Sequence, residues 1–143
     1  MKVAFATQDS QRVDAHFASA RTFMLFDVLI DRYDLLESVR FESTSNEEGV
    51  HQEDGEDRLA AKLDALDGVA LLFVRAIGGP AAARVVKRMV HPIKLPNDEP
   101  IPDVVARIQT MMRGTPPPWL RKIMQQNSTS RFADEEEIAG ETA

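Results

Sequence analysis

The stretch VALLFVRAIGGP, residues 69–80, decides the fold because it places a buried strand directly before a helix. Its first six residues are all apolar, which is typical of a parallel strand covered on both faces. Gly78-Gly79 follows, and Pro80 suits the first helical turn, where its missing N–H would be unpaired in any case. One face of the helix that follows is predicted to carry Ala82, Val85, Val86 and Met89. The segment therefore predicts a strand–turn–helix unit of an α/β sheet.

The segments on either side continue the alternation of strands and helices. Residues 42–57 are rich in acidic side chains and predict a loop, and residues 57–66 carry leucines at helical spacing. Residues 90–95 predict a strand, which Pro92 restricts to a sheet edge because proline donates no ladder hydrogen bond. Residues 100–113 predict a third amphipathic helix.

The N-terminal third of the chain predicts three more strands, at residues 2–6, 22–30 and 33–41. Residues 22–30 are apolar in both alternating sets, which indicates a central strand. The third strand alternates apolar with charged residues, which indicates one wetter face, its apolar set being Tyr33, Leu35, Val39 and Phe41. The order β-β-β-α-β-α-β-α predicts an α/β, ribonuclease-H-like mixed five-stranded sheet of order 3-2-1-4-5, with strand 2 antiparallel and helices packed on it.

Length and composition limit the possible classes. The 143 residues suit one folded domain over residues 1–114, a Pro-rich spacer and short docking helix over 115–127, and a disordered acidic tail over 128–143. The absence of cysteine excludes thiolate ligands and a cysteine nucleophile from this chain. The net charge of −6 includes −5 from residues 134–143, and no basic block predicts binding to nucleic acid.

Hydropathy and surface charge give three further expectations. No apolar run approaches the roughly 20 residues that span a bilayer, and the start of the chain turns polar too early for a signal peptide. We therefore expect no membrane contact and a cytoplasmic protein. A nearly neutral folded part without an obvious apolar patch favours a monomer.

The polar loop of residues 7–21 is the candidate functional segment, because function concentrates in polar loops held between rigid elements. In the predicted sheet this loop and the turn after strand 4 open side by side at the carboxyl ends of adjacent strands, where α/β sheets usually bind ligands. The loop contains five charged or titratable side chains: Asp9, Arg12, Asp14, His16 and Arg21.

Each candidate contact has two interpretations from sequence alone. Gly78-Gly79 is either a tight turn only or a helix start whose free N–H groups favour an anion. Arg75 is either a surface charge or a second anion contact. His16 is either an ordinary polar loop residue or a metal ligand whose tautomer Asp14 could fix.

Other motifs carry less. His51 lies in the acidic segment, and His91 is interpreted as a structural residue. Asp9 and Asp27 could suggest a nuclease pair, but two-metal phosphoryl chemistry needs several acidic groups converging on one face. The other acids are predicted in loops and helix starts, so we assign no catalytic residue.

Four segments together resemble the dinitrogenase iron–molybdenum cofactor biosynthesis family, and within it the small NifX-type carriers of nitrogen fixation. They are MKVAFAT from residue 1, RVDAHFASARTFMLFDV from residue 12, AIGGPAAARVVKRMVHPIKL from residue 76 and GTPPPWLRKIM from residue 114. The resemblance covers nearly the whole predicted folded part. In this family the VDxHF loop often has a glycine after the phenylalanine, where this chain has Ala18.

The resemblance implies a non-enzymatic carrier. Such a protein holds an iron–sulfur precursor of the iron–molybdenum cofactor and passes it between cluster-donor proteins and the scaffold that completes the cofactor. The histidine of the VDxHF loop, here His16, is the implied metal contact, beside cofactor-binding residues that we place at Asp14, Arg21, Arg75, Gly78 and Gly79. The alternative is an interaction or regulatory module that binds no cluster.

Overall fold

A five-stranded mixed sheet forms the centre of the protein. The computed structural model describes residues 1–41 and 52–126, with residues 52–58 as backbone only. Its strands are β1 (Lys2–Thr7), β2 (Arg12–Val13), β3 (Thr22–Val28), β4 (Tyr33–Arg40), β5 (Leu71–Val74), β6 (His91–Lys94) and β7 (Glu99–Pro100). The sheet order is β4-β3-β1-β5-β6. β3 is antiparallel to both β1 and β4, and β5 is parallel to both β1 and β6.

Four helices are present in the described residues: α1 (Gln52–Ala65), α2 (Gly79–Lys87), α3 (Ile101–Arg113) and α4 (118–126). The predicted loop at 42–57 is wrong over its last residues, because α1 begins at Gln52. Acidic residues there suit the positive end of the helix dipole, so the composition that suggested a loop also fits a helix start. The rest of that predicted loop, and the predicted tail, lie outside the described residues.

The core lies on both faces of the sheet because β1 is buried on both sides. On one face, Phe5 of β1 packs with residues of α3 and α4, including Val105 and Leu120. On the other face, Ala4 and Ala6 of β1 pack with residues of α1 and α2. The continuous apolar pattern of the strand reflects this double coverage.

Helix α4 follows the proline-rich segment and returns to the core. Leu120 is fully buried, and the Trp119 ring stacks on His91 of β6, with centroids 4.9 Å apart and planes 9° apart. His91 thus has a structural role, as the sequence predicts. Strand β6, which contains Pro92, lies at a sheet edge, and this prediction is also confirmed.

The predicted inner face of α2 is wrong. Val85 is fully buried, whereas Val86 and Met89 are 54% and 75% exposed. The helix ends at Lys87, and Met89 lies beyond it with a φ of 65°. The face of α2 that packs on the core runs through Ala81 and Val85, one turn apart, so Val86 turns to solvent although it lies within the helix.

The predicted burial pattern of β4 is also wrong. Leu35 is 54% exposed, although the alternation placed it with Val39. Leu25 pairs with Glu37 but Phe26 pairs with Leu35, so Leu36 is an extra residue in the ladder. Because one inserted residue reverses the side-chain alternation, Leu35 and Val39 lie on opposite faces.

The two-residue strands β2 and β7 form a separate antiparallel sheet that the sequence does not reveal. The N–H of Ile101, at the start of α3, donates to the carbonyl of Gln11 at 2.9 Å. Together these contacts hold the polar loop against the start of α3. No helix in the described part of the chain has the length and apolar character to cross a membrane.

Candidate functional site

The loop after β1 and the turn after β5 are in direct backbone contact. His16 and Ala76 form a parallel β-bridge. The N–H of Phe17 donates to the carbonyl of Ala76 at 2.8 Å, and the N–H of Arg75 donates to the carbonyl of Ala15 at 2.9 Å. The prediction that these two loops meet at the carboxyl ends of adjacent strands is confirmed.

The side chains of this bridged segment alternate between core and solvent. Ala15 and Phe17 are buried, and His16 between them is exposed. Phe17 packs on Phe23 at a centroid distance of 5.7 Å, and Phe23 contacts Phe41 at 4.9 Å. In the described part of the chain, the His16 side chain makes no hydrogen bond or ion pair. A fixed backbone therefore presents an uncommitted imidazole.

The first part of the loop is a tight turn around Asp9. Its Oδ1 accepts hydrogen bonds from the N–H groups of Gln11 and Arg12, both at 2.8 Å, and from the Thr7 hydroxyl at 3.2 Å. The Gln11 N–H is the main cause of a lowered Asp9 pKa, since these donors stabilise the carboxylate. Ser10 takes a φ of 65° within this turn.

Asp14 and Gln8 connect the two ends of the loop. Asp14 Oδ1 accepts from the Gln8 N–H at 2.7 Å, so this bond goes to the loop backbone and not to His16. The Gln8 side chain donates to the carbonyl of Ser19 at 2.9 Å and accepts from the Arg21 N–H at 3.0 Å. The side chain of Arg21 has no ion pair with any described residue, and the residue is exposed.

The guanidinium of Arg75 points to the segment that follows β6. It donates to the carbonyls of Leu95 at 3.0 Å and Pro96 at 3.1 Å, and it forms an ion pair with Asp98. Arg75 therefore joins the turn after β5 to the segment leading into α3.

Gly78-Gly79 begins α2 without a side-chain cap. Gly78 is the N-cap residue with φ −69° and ψ 155°, a conformation open to any residue. Apart from the chain neighbours, a Cβ atom at either glycine would meet nothing within 4 Å. The first N–H groups of a helix have no intrahelical partner, so those of Gly79 and Ala81 are available in front of the helix. Neither backbone strain nor crowding requires glycine at position 78, whereas Gly79 is a helical residue before Pro80, where a Cβ atom is disfavoured.

Lys62 is a residue that the sequence interpretation missed. It lies on α1, is 2% exposed, and its Nζ donates to the carbonyl of Ala18 at 2.8 Å. The same Nζ lies 5.0 Å from the centre of the Phe41 ring. Its position three residues after Leu59 and four before Leu66 places it on the apolar stripe of α1, and this spacing was the signal in the sequence that Lys62 is buried.

The family often has a glycine where this chain has Ala18. Ala18 has no positive φ, so alanine fits this loop without strain.

The carboxylates considered for nuclease chemistry are engaged separately. Asp9 serves the loop turn, and Asp27 accepts from the terminal ammonium of Met1 at 2.9 Å. The described residues contain no group of three or more His, Cys, Asp or Glu that could hold a metal ion.

The fold defines the class first: a mixed α/β domain with its polar loop at the carboxyl ends of β1 and β5. A solved structure, the crystal structure of PH0822, shares this fold with a TM-score of 0.57 and 18% identity over 77% of this chain and 90% of that one. At this identity the likeness concerns the fold alone.

Sequence comparison identifies the family. Residues 1–111 match the family model described as dinitrogenase iron-molybdenum cofactor. Protein NifX of Sinorhizobium fredii is 47% identical over 139 residues, covering 95% of this chain and 87% of its own. Protein NifX of Herbaspirillum seropedicae is 43% identical over 96% of this chain and 91% of its own. Protein NifY of Azotobacter vinelandii is 33% identical over 87% of this chain but 48% of its own. The chain belongs to the dinitrogenase iron–molybdenum cofactor family, which confirms the resemblance inferred from its motifs.

Proposed function

We propose that this protein is a non-enzymatic carrier in iron–molybdenum cofactor biosynthesis. It binds an iron–sulfur precursor of the cofactor and transfers it from a cluster-donor protein to the assembly scaffold. Family membership ties the chain to this cofactor. The geometry of the loop after β1 supports the carrier role within that pathway.

The exposed imidazole of His16 is the observation that carries the proposal. Its backbone is fixed on both sides by the bridge to Arg75 and Ala76, so the loop has little backbone freedom to lose on binding. Neutral imidazole is a common metal ligand, and a cluster supplies its own sulfide and iron. His16 is therefore suited to bind one iron of a preformed cluster.

The start of α2 supplies the second part of the site. The bridge places His16 beside Ala76, two residues before the uncapped Gly78-Gly79 turn. Free N–H groups and the helix dipole favour a negatively charged cluster, and the absence of nearby side chains lets a cluster approach the backbone. Backbone N–H groups thus hold the anionic side of the cargo.

The other candidate residues have different roles in this proposal. Arg21 contributes an exposed positive charge at the end of the loop. Asp14 holds the loop through the Gln8 N–H, and Arg75 holds the adjacent turn through Asp98. One imidazole together with backbone N–H groups binds the cluster reversibly, as transfer to another protein requires.

The fold and its carboxylates support a binding role over catalysis. We place the sheet in the ribonuclease-H-like class, because the antiparallel strands β4, β3 and β1 are followed by parallel β5 and β6. Nuclease chemistry on such a sheet needs converging carboxylates, whereas Asp9 and Asp27 bind different partners.

Anaerobic loading of the purified protein with the extracted precursor cluster tests the proposal. The wild-type protein is expected to elute brown from a sizing column with bound iron, and His16→Ala to retain at least several-fold less iron. Folding should be unchanged, since His16 is exposed and its side chain has no protein partner in the described residues. The matched control is His51→Ala, which removes an imidazole from another segment. Equal retention by wild type and His16→Ala would remove His16 from the site.

A second candidate is an interaction or regulatory module of nitrogenase assembly that binds no cluster. Large exposed apolar side chains on both sides of the sheet favour it, namely Leu35, Leu36, Val86 and Met89. A colourless protein that still binds the assembly scaffold after the loading experiment would support this alternative and contradict the carrier.

A further inference from the structure

The buried ammonium of Lys62 is a feature that the proposed cargo contacts do not use. A buried ammonium group needs hydrogen-bond acceptors around it, and the carbonyl of Ala18 is one of those that Lys62 has. At 2% exposure the side chain is enclosed between α1 and the loop, so the Nζ hydrogen bond links these two elements.

The Nζ bond is made to the loop that carries His16. Its acceptor, the carbonyl of Ala18, lies two residues after His16. On the other side of His16, the carbonyl of Ala15 accepts from the N–H of Arg75. The short segment around His16 is thus held on both sides of the imidazole by the turn after β5, and two residues later by α1.

Helix α1 is also tied to the helix that begins at the two glycines. Arg88, which follows α2, donates through Nη1 to the carbonyl of Leu63 at 3.1 Å and to Asp64 at 3.2 Å. Leu63 directly follows Lys62 on α1, and Asp64 is the next residue. Helix α1 therefore connects the loop of His16 with the helix whose N-terminus faces the same site.

We propose that Lys62 is a positioning residue that fixes the imidazole of His16 relative to the start of α2. This inference rests on the proposed function only in what it says about cargo. The claim about the loop itself concerns the protein without cargo. Lys62 touches the loop backbone and acts on the cargo through His16.

Amide hydrogen exchange of the full-length, cargo-free protein tests the positioning role. Lys62→Met is expected to speed exchange of the Phe17 N–H, which donates across the bridge, at least about ten-fold, while amides of β1 and β5 keep their protection. Lys62→Arg, which retains a long cationic donor, should restore most of the protection. Arg88→Met is the matched control, because it loosens α1 without removing a bond to the loop.

The outcomes separate the two claims. Unchanged Phe17 exchange in Lys62→Met overturns the proposal, and so does a loss of protection that is equal across β1, β5 and the loop. If Lys62→Met does not fold, Lys62→Gln replaces it, and wild-type exchange in that variant also overturns the proposal. In the loading experiment, Lys62→Met should approach the low retention of His16→Ala, and the double variant should lose no more. A wild type that binds no cluster contradicts the carrier, while the exchange result still decides the role of Lys62.

Discussion

His16 and Ala76 form a parallel β-bridge, so the loop after β1 pairs with the residues that follow β5. The bridge is possible because β1 and β5 are themselves parallel neighbours in the sheet. It turns a polar loop into an ordered extension of the sheet at the edge where α/β proteins bind ligands. The chemistry proposed for the loop depends on this order.

Alanine at Gly78 is expected to leave folding intact and to weaken cargo retention. Apart from its chain neighbours, the added methyl group meets no protein atom within 4 Å, and the φ of Gly78 is −69°. Glycine-to-alanine changes at such positions stabilise by up to about 1 kcal/mol. Thermal unfolding and iron retention measured on the same samples check this. Retention equal to wild type in Gly78→Ala would show that the cargo does not approach this backbone.

Fluorescence of Trp119, the only tryptophan, should report the protonation of His91. Burial lowers the pKa of His91 from its ordinary value of 6.5, and the two rings are stacked. Protonated imidazole in contact with indole quenches its emission, so a quenching step is expected with a midpoint below 6.5. His91→Phe should abolish the step, and His16→Ala should leave it unchanged. A step that persists in His91→Phe would assign it to another group.

The same group predicts a change of stability with pH. The folded protein binds the His91 proton less readily than the unfolded chain, so this contribution is complete above 6.5. It is lost as the pH falls from that value through the lower pKa of the folded state. Urea unfolding of wild type and His91→Phe at several pH values in this range measures the contribution. The free energy of unfolding should fall more steeply with decreasing pH in the wild type than in His91→Phe. Parallel curves would contradict the prediction.

Asp9 should stabilise the loop in its ionised form. Its folded pKa lies below the ordinary 3.8, so the contribution is present above that value and is lost as the pH falls through the folded pKa. Asp9→Ala is expected to lower the free energy of unfolding by at most about 1 kcal/mol at neutral pH, because water screens this exposed carboxylate. Asp9→Asn retains an acceptor oxygen and separates geometry from charge. A wild-type advantage over Asp9→Ala that persists at the lowest pH would contradict the assignment.

Neighbouring valines on α2 test which face of that helix is buried. Val85→Ala should cost about 2 kcal/mol of unfolding free energy, because Val85 is fully buried. Val86→Ala should change it by less than about 0.5 kcal/mol, because Val86 is mostly exposed. Chemical denaturation of the two variants provides a matched comparison. Equal losses of unfolding free energy in the two variants would indicate that Val85 and Val86 are both buried, as the sequence pattern predicted.

The exposed faces of α2 and β4 show where pattern reasoning fails. Val86 and Leu35 both belong to regular apolar alternations, yet both are exposed. Periodicity tells which residues can share a face, but the rotation of a helix on the sheet and an inserted residue in a strand decide which of them reach the core. A bulge at Leu36 arises from pairing with β3 and leaves no mark in the sequence of β4 itself.

The sequence by itself determined the main strands and helices, the helix start at Gly78-Gly79, the edge position of Pro92 and the family. These follow from local properties: apolar spacing, proline and glycine geometry, and motifs read along the chain. Only the tertiary structure decided which polar groups are committed, because their partners are distant in sequence. Arg75 binds Asp98 and Lys62 binds the carbonyl of Ala18, while His16 is left exposed. Whether a side chain has a hydrogen-bond partner depends on which donors and acceptors folding brings next to it.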